Sequence, residues 1–267
     1  MTAYFARIGY SGRFDPTLKT LNDIVRAHVR TIPFENLDVI LGRPIELSPD
    51  ALARKLVDGE RGGYCFEQNG LLLLVLASLG FRVTPLGARV RIGQPRDAVP
   101  SRTHLLVRVD LEGEAWLVDV GIGAFSLASA IRLDTPDEQQ TPHEPRRIIR
   151  EGSRLFHQAL VGSTWQDVYE FTLEEMPLVD RELANWYTST HPESHFRHNL
   201  MAARALDDGG RVTLLNREFT IRQRSGEAES RCLDTPQELL LTLARHFGLH
   251  FEPGTEFPCP GLDWPPG

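Results

Sequence analysis

Between residues 1 and 80 the apolar positions recur with the spacing of amphipathic helices. The first run follows Asp15-Pro16, a pair typical of an N-cap with proline at the first helical position. Its members are Leu18, Leu21, Ile24, Val25, His28 and Val29. Ser48-Pro49 gives the same signal for a second helix that stops near Gly59, and a leucine-rich third helix is predicted from Cys65 to Gly80. We therefore expect a helical N-terminal unit.

After Gly80 the pattern changes to short runs rich in β-branched residues, which predict strands. These runs are 82–92, 103–111, 115–120, 155–161 and 165–171. Glu112-Gly113-Glu114 is typical of a hairpin turn and joins the second run to the third. The middle of the chain is therefore predicted to form a sheet or a barrel.

The last third of the chain mixes helical and strand patterns. A polar helix is predicted over 180–189, and strands are predicted over 212–215 and 219–223. Thr235-Pro236 then marks the start of an amphipathic helix. From Pro253 the chain is rich in proline and glycine, so we expect a tail that lies on the surface or is frayed.

Composition and charge narrow the class of protein. The chain has 267 residues, with 29 lysine and arginine residues against 36 aspartate and glutamate residues, a net charge of -7. This balance argues against a general surface for nucleic acid or anionic membranes, because both need excess cations. The longest uncharged apolar stretch, 71–81, is shorter than the ~20 residues of a membrane span. No apolar signal segment precedes Arg7, so we expect a cytoplasmic protein with no membrane partner.

The chain holds three cysteines, and one of them has an unusual context. An odd count without paired spacings predicts neither a disulfide framework nor a zinc site, and Cys232 and Cys259 are interpreted as packing or surface thiols. Cys65 follows Gly62-Gly63 in the first turn of a predicted helix. Unpaired N–H groups and the helix dipole favour a thiolate there. The local sequence leaves two interpretations open, a nucleophile and a small buried core residue.

A nucleophilic thiolate needs a base, and the base needs a group that orients it. His104 begins one predicted strand and Asp119 lies near the end of the next. If these strands pair across the Glu112-Gly113 turn, the two side chains lie at the same side of the sheet. Taken singly, Asp119 is as compatible with a structural role as with a catalytic one, and a lone histidine such as His104 is more often structural. The chain order Cys, His, Asp also occurs in transglutaminase-like thiol enzymes, so order alone does not select the reaction.

These segments together resemble the arylamine N-acetyltransferase family. The family pattern R-G-G-x-C-x-E-x-N matches Arg61 to Asn69, P-F-E-N-L matches Pro33 to Leu37, and V-D-V-G-x-G matches Val118 to Gly123. His104 stands ahead of an apolar strand, as in the family. Two further segments, 141–145 (T-P-H-E-P) and 186–192 (W-Y-T-S-T-H-P), are similar to the bacterial branch.

The resemblance implies an α+β fold with a core like that of cysteine proteases and transglutaminases. Its parts would be an N-terminal helical bundle, a central β-barrel, an interdomain helix segment, and a C-terminal α/β lid with its tail. The corresponding ranges are 1–81, 82–178, 179–199 and 200–267.

The resemblance also implies ping-pong acetyl transfer from acetyl-CoA, as co-substrate, to arylamines, arylhydrazines or hydrazides. Cys65, His104 and Asp119 would form the catalytic triad, with no bound cofactor and no metal. The residues implied to bind substrate or CoA are Phe34, Thr103, Gly121, Gly123, Phe125 and Phe196. Other acyl donors, a transglutaminase-like thiol hydrolase and a silent binding protein are the alternatives, and the resemblance leaves a homodimer open.

Two further clusters are assigned no chemistry. His191, His195 and His198 are interpreted as surface or lid histidines and not as metal ligands, because Pro192 interrupts the helix that would align them. The basic residues Arg146, Arg147 and Arg150 are interpreted as a solvated face.

Overall fold

The computed structural model describes residues 1–265. The helices are α1 (Thr2–Arg7), α2 (Leu18–Thr31), α3 (Leu37–Ile40), α4 (Pro49–Leu52), α5 (Cys65–Ser78), α6 (Leu178–Thr190), α7 (His195–His198) and α8 (Pro236–Thr242). Helices α4 and α8 continue into π-helical turns over Ala53–Asp58 and Leu243–Phe247. Within the described residues, no helix is both long enough and apolar enough to span a membrane.

Helix starts follow from the capping residues. Ser48 accepts a hydrogen bond from the N–H of Ala51, and Thr235 accepts one from the N–H of Glu238, which confirms both predicted starts. The predicted start of α2 at Asp15-Pro16 is wrong. The helix is capped by Thr17, whose hydroxyl accepts the N–H of Thr20 at 3.2 Å, so the proline lies outside the helix.

Residues 1–265 contain two antiparallel sheets, one of seven strands and one of five. The strands of the larger sheet are β2 (Arg82–Val90), β3 (His104–Leu111), β4 (Glu114–Val118), β5 (Ile131–Arg132), β6 (Arg146–Glu151), β7 (Arg154–Val161) and β8 (Thr164–Glu175). Their order is β5-β4-β3-β2-β8-β7-β6. Gln139 links the two edge strands: its backbone bridges to Arg146, and its side chain accepts the N–H of Arg132 at 2.6 Å. The sheet is therefore a nearly closed barrel, as predicted.

Strand β6 corrects the interpretation of the basic cluster. Alternate residues of a strand point to opposite faces, so Arg146 and Ile148 point into the barrel core and are buried. Arg150 is exposed, and Arg147 is half-buried with its guanidinium 4.2 Å from the ring centre of Trp165. The assignment of Arg146 to a solvated face is therefore wrong, because this residue lies on the inward face of β6.

The smaller sheet pairs one short strand from the N-terminal part of the chain with four strands from the last third. Its strands are β1 (Phe34–Glu35), β9 (Met201–Ala205), β10 (Arg211–Leu215), β11 (Glu218–Arg222) and β12 (Ala228–Cys232), paired in that order. The sequence predicted β10 and β11 but not the other three strands. Helix α8 and its π-helical turn cover this sheet with Leu239, Leu243 and Phe247, which are buried. The domain ranges inferred from the resemblance stay a prediction.

The C-terminal tail packs on the core of the smaller sheet. Phe257 and Cys259 are buried there, and Phe251 and Trp264 are packed against the same core. A frayed tail is therefore a wrong expectation for residues 253–265, since aromatic side chains anchor the segment. Residues 266 and 267 of the predicted tail lie outside the described residues.

Candidate active site

Cys65 is the first residue of α5 and is 3% exposed. The carboxylate of Glu67 accepts the N–H of Tyr64 at 3.0 Å, which fixes the residue ahead of the helix. The thiol of Cys65 lies 3.7 Å from the carbonyl oxygen of Thr103. The cysteine predicted as a nucleophile therefore sits at the positive end of a helix dipole, where a thiolate is favoured.

His104 and Asp119 meet at the end of a hairpin, as the sequence predicted. His104 begins β3, Asp119 follows β4 directly, and these two strands pair with Val107 opposite Val118. His104 Nε2 lies 2.7 Å from Asp119 Oδ2, and both side chains are buried. Cys65 contributes to the raised pKa of His104, and its thiol lies beside the carbonyl of Thr103, the residue before this histidine.

Burial and pairing act in opposite directions on this pair. Burial would lower the pKa of His104, but the charge and hydrogen bond of Asp119 outweigh it and raise the pKa to about 10. For Asp119 burial acts in the other direction and would raise the pKa, because it disfavours the charged carboxylate. His104 and the N–H groups of Asn69 and Gly121 nevertheless hold the pKa of Asp119 below its usual value. The pair is therefore an imidazolium and a carboxylate near neutral pH, which is the arrangement that stabilises a neighbouring thiolate.

Asn69 is a site residue whose contacts the sequence reasoning did not predict. Its amide nitrogen donates to Asp119 Oδ1 at 2.8 Å and to the carbonyl of Leu105 at 2.7 Å, and its oxygen accepts the N–H of Val120 at 3.0 Å. Asn69 lies one helical turn after Cys65, so both side chains are on the same face of α5. The four-residue spacing of Cys65 and Asn69 within the R-G-G-x-C-x-E-x-N segment was the sequence signal that could have placed Asn69 in the site.

The segment 121–125 approaches Cys65 closely because two of its residues are glycines. A Cβ added to Gly121 would lie 2.6 Å from the Cα of Cys65. Gly123 has φ +80°, and a Cβ there would lie 3.3 Å from the ring of Phe34. The structure thus brings Gly121, Gly123, Phe34 and Cys65 together.

The three predicted aromatic residues divide into two groups. The ring centres of Phe34 and Phe196 are 6.3 Å apart, and Phe196 lies 5.3 Å from Tyr64, the residue before the cysteine. Phe125 ends the glycine-containing segment but packs against the barrel core. Its ring centre is 5.7 Å from the guanidinium carbon of Arg146 and 5.9 Å from that of Arg211.

A buried ionic network supports the segment that precedes Cys65. Glu35 accepts from Arg61 at 2.7 Å and, through its other oxygen, from the N–H of Leu37 at 2.7 Å. Lys55 donates to Glu67 at 2.6 Å and pairs with Asp38 at 2.8 Å. The sequence supplied Glu35, Arg61 and Glu67 as members of two motifs but gave no sign that the motifs pair, nor any role for Lys55.

The three histidines predicted as surface or lid residues have partners other than a metal. His191 stacks on Tyr187 with ring centres 4.4 Å apart, the His195 ring accepts from Asn199 Nδ2 at 2.9 Å, and the His198 ring contacts the carbonyl of Pro192 at 2.5 Å. In the part of the chain that the structure describes, no three His, Cys, Asp or Glu residues are grouped so that they could hold a metal ion.

Comparison with known proteins settles the family. A sequence profile described as N-acetyltransferase matches residues 17–255. The arylamine N-acetyltransferase of Mycobacterium tuberculosis is 46% identical over 254 residues, covering 94% of this chain and 89% of that protein. The chain belongs to the arylamine N-acetyltransferase family.

Solved structures of the family show the same fold. The Mycobacterium marinum arylamine N-acetyltransferase in complex with CoA has 45% sequence identity and a TM-score of 0.89, with 92% of each chain covered. The Salmonella typhimurium arylamine N-acetyltransferase has 41% identity and a TM-score of 0.89, with 93% of this chain and 90% of that chain covered. The chain is therefore an acetyltransferase, and the fold implied by the resemblance is confirmed.

Proposed function

We propose that this arylamine N-acetyltransferase family member transfers acetyl groups from acetyl-CoA to arylamines, arylhydrazines and hydrazides through an acetyl thioester on Cys65. The observation that carries the proposal is the arrangement of three side chains. A thiol at a helix start lies 3.7 Å from the carbonyl of Thr103, the residue before His104, and a buried carboxylate holds the imidazole of His104 at 2.7 Å. This is the nucleophile, base and orienting group of covalent acyl transfer.

The first half-reaction forms the acyl enzyme. With His104 protonated as the imidazolium, Cys65 is the thiolate of an ion pair, and its sulfur attacks the thioester carbonyl of acetyl-CoA. The bond from the carbonyl carbon to the CoA sulfur breaks, and the CoA thiolate takes the proton from His104. Asp119 stabilises the imidazolium throughout this step without itself accepting a proton.

The second half-reaction transfers the acetyl group to nitrogen. The amine lone pair attacks the thioester on Cys65, His104 takes the proton that the nitrogen loses, and the C–S bond breaks to return the thiolate. Phe34 and Phe196 next to Tyr64 offer aromatic surfaces beside the cysteine, which favours flat acceptors. Aliphatic amines, protonated near pH 7 like the lysine side chain, lack the lone pair that attacks.

Intact-protein mass spectrometry tests this proposal directly. After brief incubation with acetyl-CoA and no acceptor, one acetyl group is expected, and peptide mapping should place it on Cys65 and not on Cys232 or Cys259. Cys65→Ala should remove both the adduct and amine acetylation, while Cys232→Ala, an exposed cysteine, serves as the control. Activity retained by Cys65→Ala would overturn the mechanism.

The same experiment addresses the other acyl donors. Acetyl-, propionyl- and malonyl-CoA are supplied separately, and the donor that acylates Cys65 fastest identifies the substrate. Adding an arylamine or an aliphatic amine to the isolated acyl enzyme then measures transfer. Loss of the acyl group to water at the same rate with and without an amine would favour a thiol hydrolase.

A further inference from the structure

The T-P-H-E-P segment, Thr141 to Pro145, takes no part in the proposed mechanism, yet its own hydrogen bonds hold it in a defined turn. The hydroxyl of Thr141 donates to the carbonyl of Glu144 at 2.8 Å and accepts the N–H of His143 at 3.2 Å. These bonds close a tight turn just ahead of β6. The turn presents the side chain of Glu144, which is 15% exposed, toward the space between the two sheets.

Glu144 pairs with two arginines that come from different sheets. One carboxylate oxygen accepts from Arg146 on β6 of the barrel, and the other accepts from Arg211, the first residue of β10. Arg146 is fully buried and Arg211 is 12% exposed. Among residues 1–265, Glu144 is the carboxylate that pairs with either guanidinium. Two cations thus share one anion in a dry environment, where charge-assisted hydrogen bonds are strong.

The same arginines hold the segment beside Cys65. Arg211 donates through its other terminal nitrogen, Nη1, to the carbonyl of Ala124. The ring of Phe125, the next residue, lies within 6 Å of the guanidinium carbons of both Arg146 and Arg211, at 5.7 and 5.9 Å. This separation is within the range of cation–π attraction, so the aromatic ring partly compensates the second positive charge.

A second contact fixes the hairpin that carries Arg211. His143 Nδ1 donates to the carbonyl of Gly209 at 2.7 Å. Gly209 has φ +86°, and a Cβ there would lie 2.6 Å from the carbonyl oxygen of Pro142. The backbones of the turn and the hairpin are therefore in direct contact. This contact fixes the backbone position of Arg211, whose side chain bonds Ala124.

We propose that Glu144, Arg146 and Arg211 form a positioning cluster that fixes Ala124 and Phe125, in the segment whose first residue, Gly121, lies against Cys65, and thereby determines which amines the acyl enzyme accepts. The inference rests on the proposed function. None of the three residues is assigned contact with substrate. They act through the segment 121–125, where a small displacement changes the alignment of an acceptor with the thioester.

The test separates acceptor recognition from thioester formation. Three variants are compared. Arg211→Gln loses the bonds to Ala124 and Glu144, and Arg211→Lys keeps the positive charge but can bond only one of these two partners. Glu144→Gln removes the negative charge of the cluster. Arg222→Gln is the matched control, because Arg222 is exposed and lies directly opposite Arg211 in the register of β10 and β11. Acylation of Cys65 is measured with p-nitrophenyl acetate, which makes no CoA contacts, and KM and kcat are then measured for one small and one bulky arylamine.

For Arg211→Gln we expect acylation within about threefold of wild type, and a KM for the small arylamine raised about tenfold. The preference for the small over the bulky arylamine should fall as well. Arg211→Lys should recover part of the loss, and Arg222→Gln should match wild type. A Phe125→Leu variant combined with Arg211→Gln should lose no more selectivity than Phe125→Leu alone, since the arginine acts through that ring.

Other outcomes overturn the inference. If acylation and transfer both fall together with the melting temperature, the cluster has a purely structural role. If selectivity is unaltered in all three variants, the cluster has no role in acceptor recognition. If Arg211→Gln does not fold, unaltered selectivity in Arg211→Lys and Glu144→Gln is sufficient to reject it. A wild-type protein that never acylates on Cys65 overturns the proposed function and this inference together, whereas an acylating wild type with unchanged variants overturns this inference alone.

Discussion

Asn69 holds Asp119 from the same helix that carries Cys65, through a hydrogen bond of 2.8 Å between its amide nitrogen and Asp119 Oδ1. Cys65 comes from α5, and His104 and Asp119 come from the β3–β4 hairpin of the barrel and the residue that follows it. This one amide therefore aligns two parts of the fold. It also leaves the other carboxylate oxygen of Asp119 for His104.

Replacing Asn69 by alanine should destabilise the protein. The change leaves the carbonyl of Leu105 and the N–H of Val120 without their partner in a buried site and removes one donor from Asp119. A loss of about 2–4 kcal/mol in the free energy of unfolding is expected, measured by urea denaturation. Asn22→Ala is a control with a single, partly buried bond, to the N–H of Ala130. Equal losses in the two variants would contradict the alignment role.

Asp119→Asn should slow alkylation of Cys65 by iodoacetamide at pH 7 by at least about tenfold while leaving the fold intact. The amide keeps the shape of the carboxylate but cannot stabilise the imidazolium beside the thiol. The rate is read by mass spectrometry of the modified peptide. Asp110→Asn, on the same hairpin but paired with Arg108, is the control and should react like wild type. Unchanged alkylation in Asp119→Asn would show that the thiol does not depend on the pair.

Gly121→Ala should abolish acetyl transfer more completely than it destabilises the fold. The added Cβ would lie 2.6 Å from the Cα of Cys65, so either the helix start or the segment 121–125 must move. Gly70→Ala is a suitable control within α5, because its Cβ would meet only a leucine methyl at 3.4 Å. We expect Cys65 acylation to be lost in Gly121→Ala and retained in Gly70→Ala. Full acylation of Gly121→Ala would show that the approach is not required.

Arg61→Met should cost about 3–5 kcal/mol of unfolding free energy, because it leaves the buried carboxylate of Glu35 without its cation. Arg13→Met breaks an exposed ion pair with Asp15 and should change stability little, as most surface ion pairs do. Chemical denaturation of both variants provides the comparison. Similar effects in the two would mean that the buried network adds no stability.

The free energy of unfolding should fall between pH 6.5 and pH 4 because of His28. Burial lowers the pKa of His28 to about 4, while its ring bonds Tyr4 at 2.8 Å and Gln68 at 3.0 Å. In that window the unfolded chain binds a proton that the folded chain does not, so acid favours unfolding by about 3 kcal/mol in total. His104 has the opposite sign, since its raised pKa supports the fold at low pH and the support is lost as pH rises toward 10.

Urea titrations at several pH values measure this effect. The slope of unfolding free energy against pH should be smaller in His28→Gln than in wild type, and unchanged in His250→Gln, where the histidine is exposed. The difference between slopes isolates His28 from the other buried histidines. A slope in His28→Gln equal to that of wild type would exclude this assignment.

Two kinds of contact explain where the structure departs from the sequence predictions: short-range bonds whose partner the pattern did not identify, and pairing between segments that are distant in the chain. Arg146 looked like a surface residue because a charged side chain is rarely buried without a partner, and its partner Glu144 is supplied by the turn just before β6. Strand β1 has two residues, too few for a periodic signal, and exists because β9 pairs with it. Thr17, not Asp15, caps α2, because the hydroxyl of Thr17 accepts the N–H of Thr20.

By itself the sequence determined the elements with strong local signals: the helix that starts at Cys65, the β3–β4 hairpin, and the expected proximity of His104 to Asp119. Local patterns suffice there because capping and hairpin turns involve residues close in the chain. Only the tertiary structure decided that Asn69 joins helix to barrel, that Glu35 pairs with Arg61, and that Glu144 links two sheets. These contacts join residues from separate elements, and their partners are chosen by burial, which excludes water and leaves each polar group dependent on a neighbour the fold supplies.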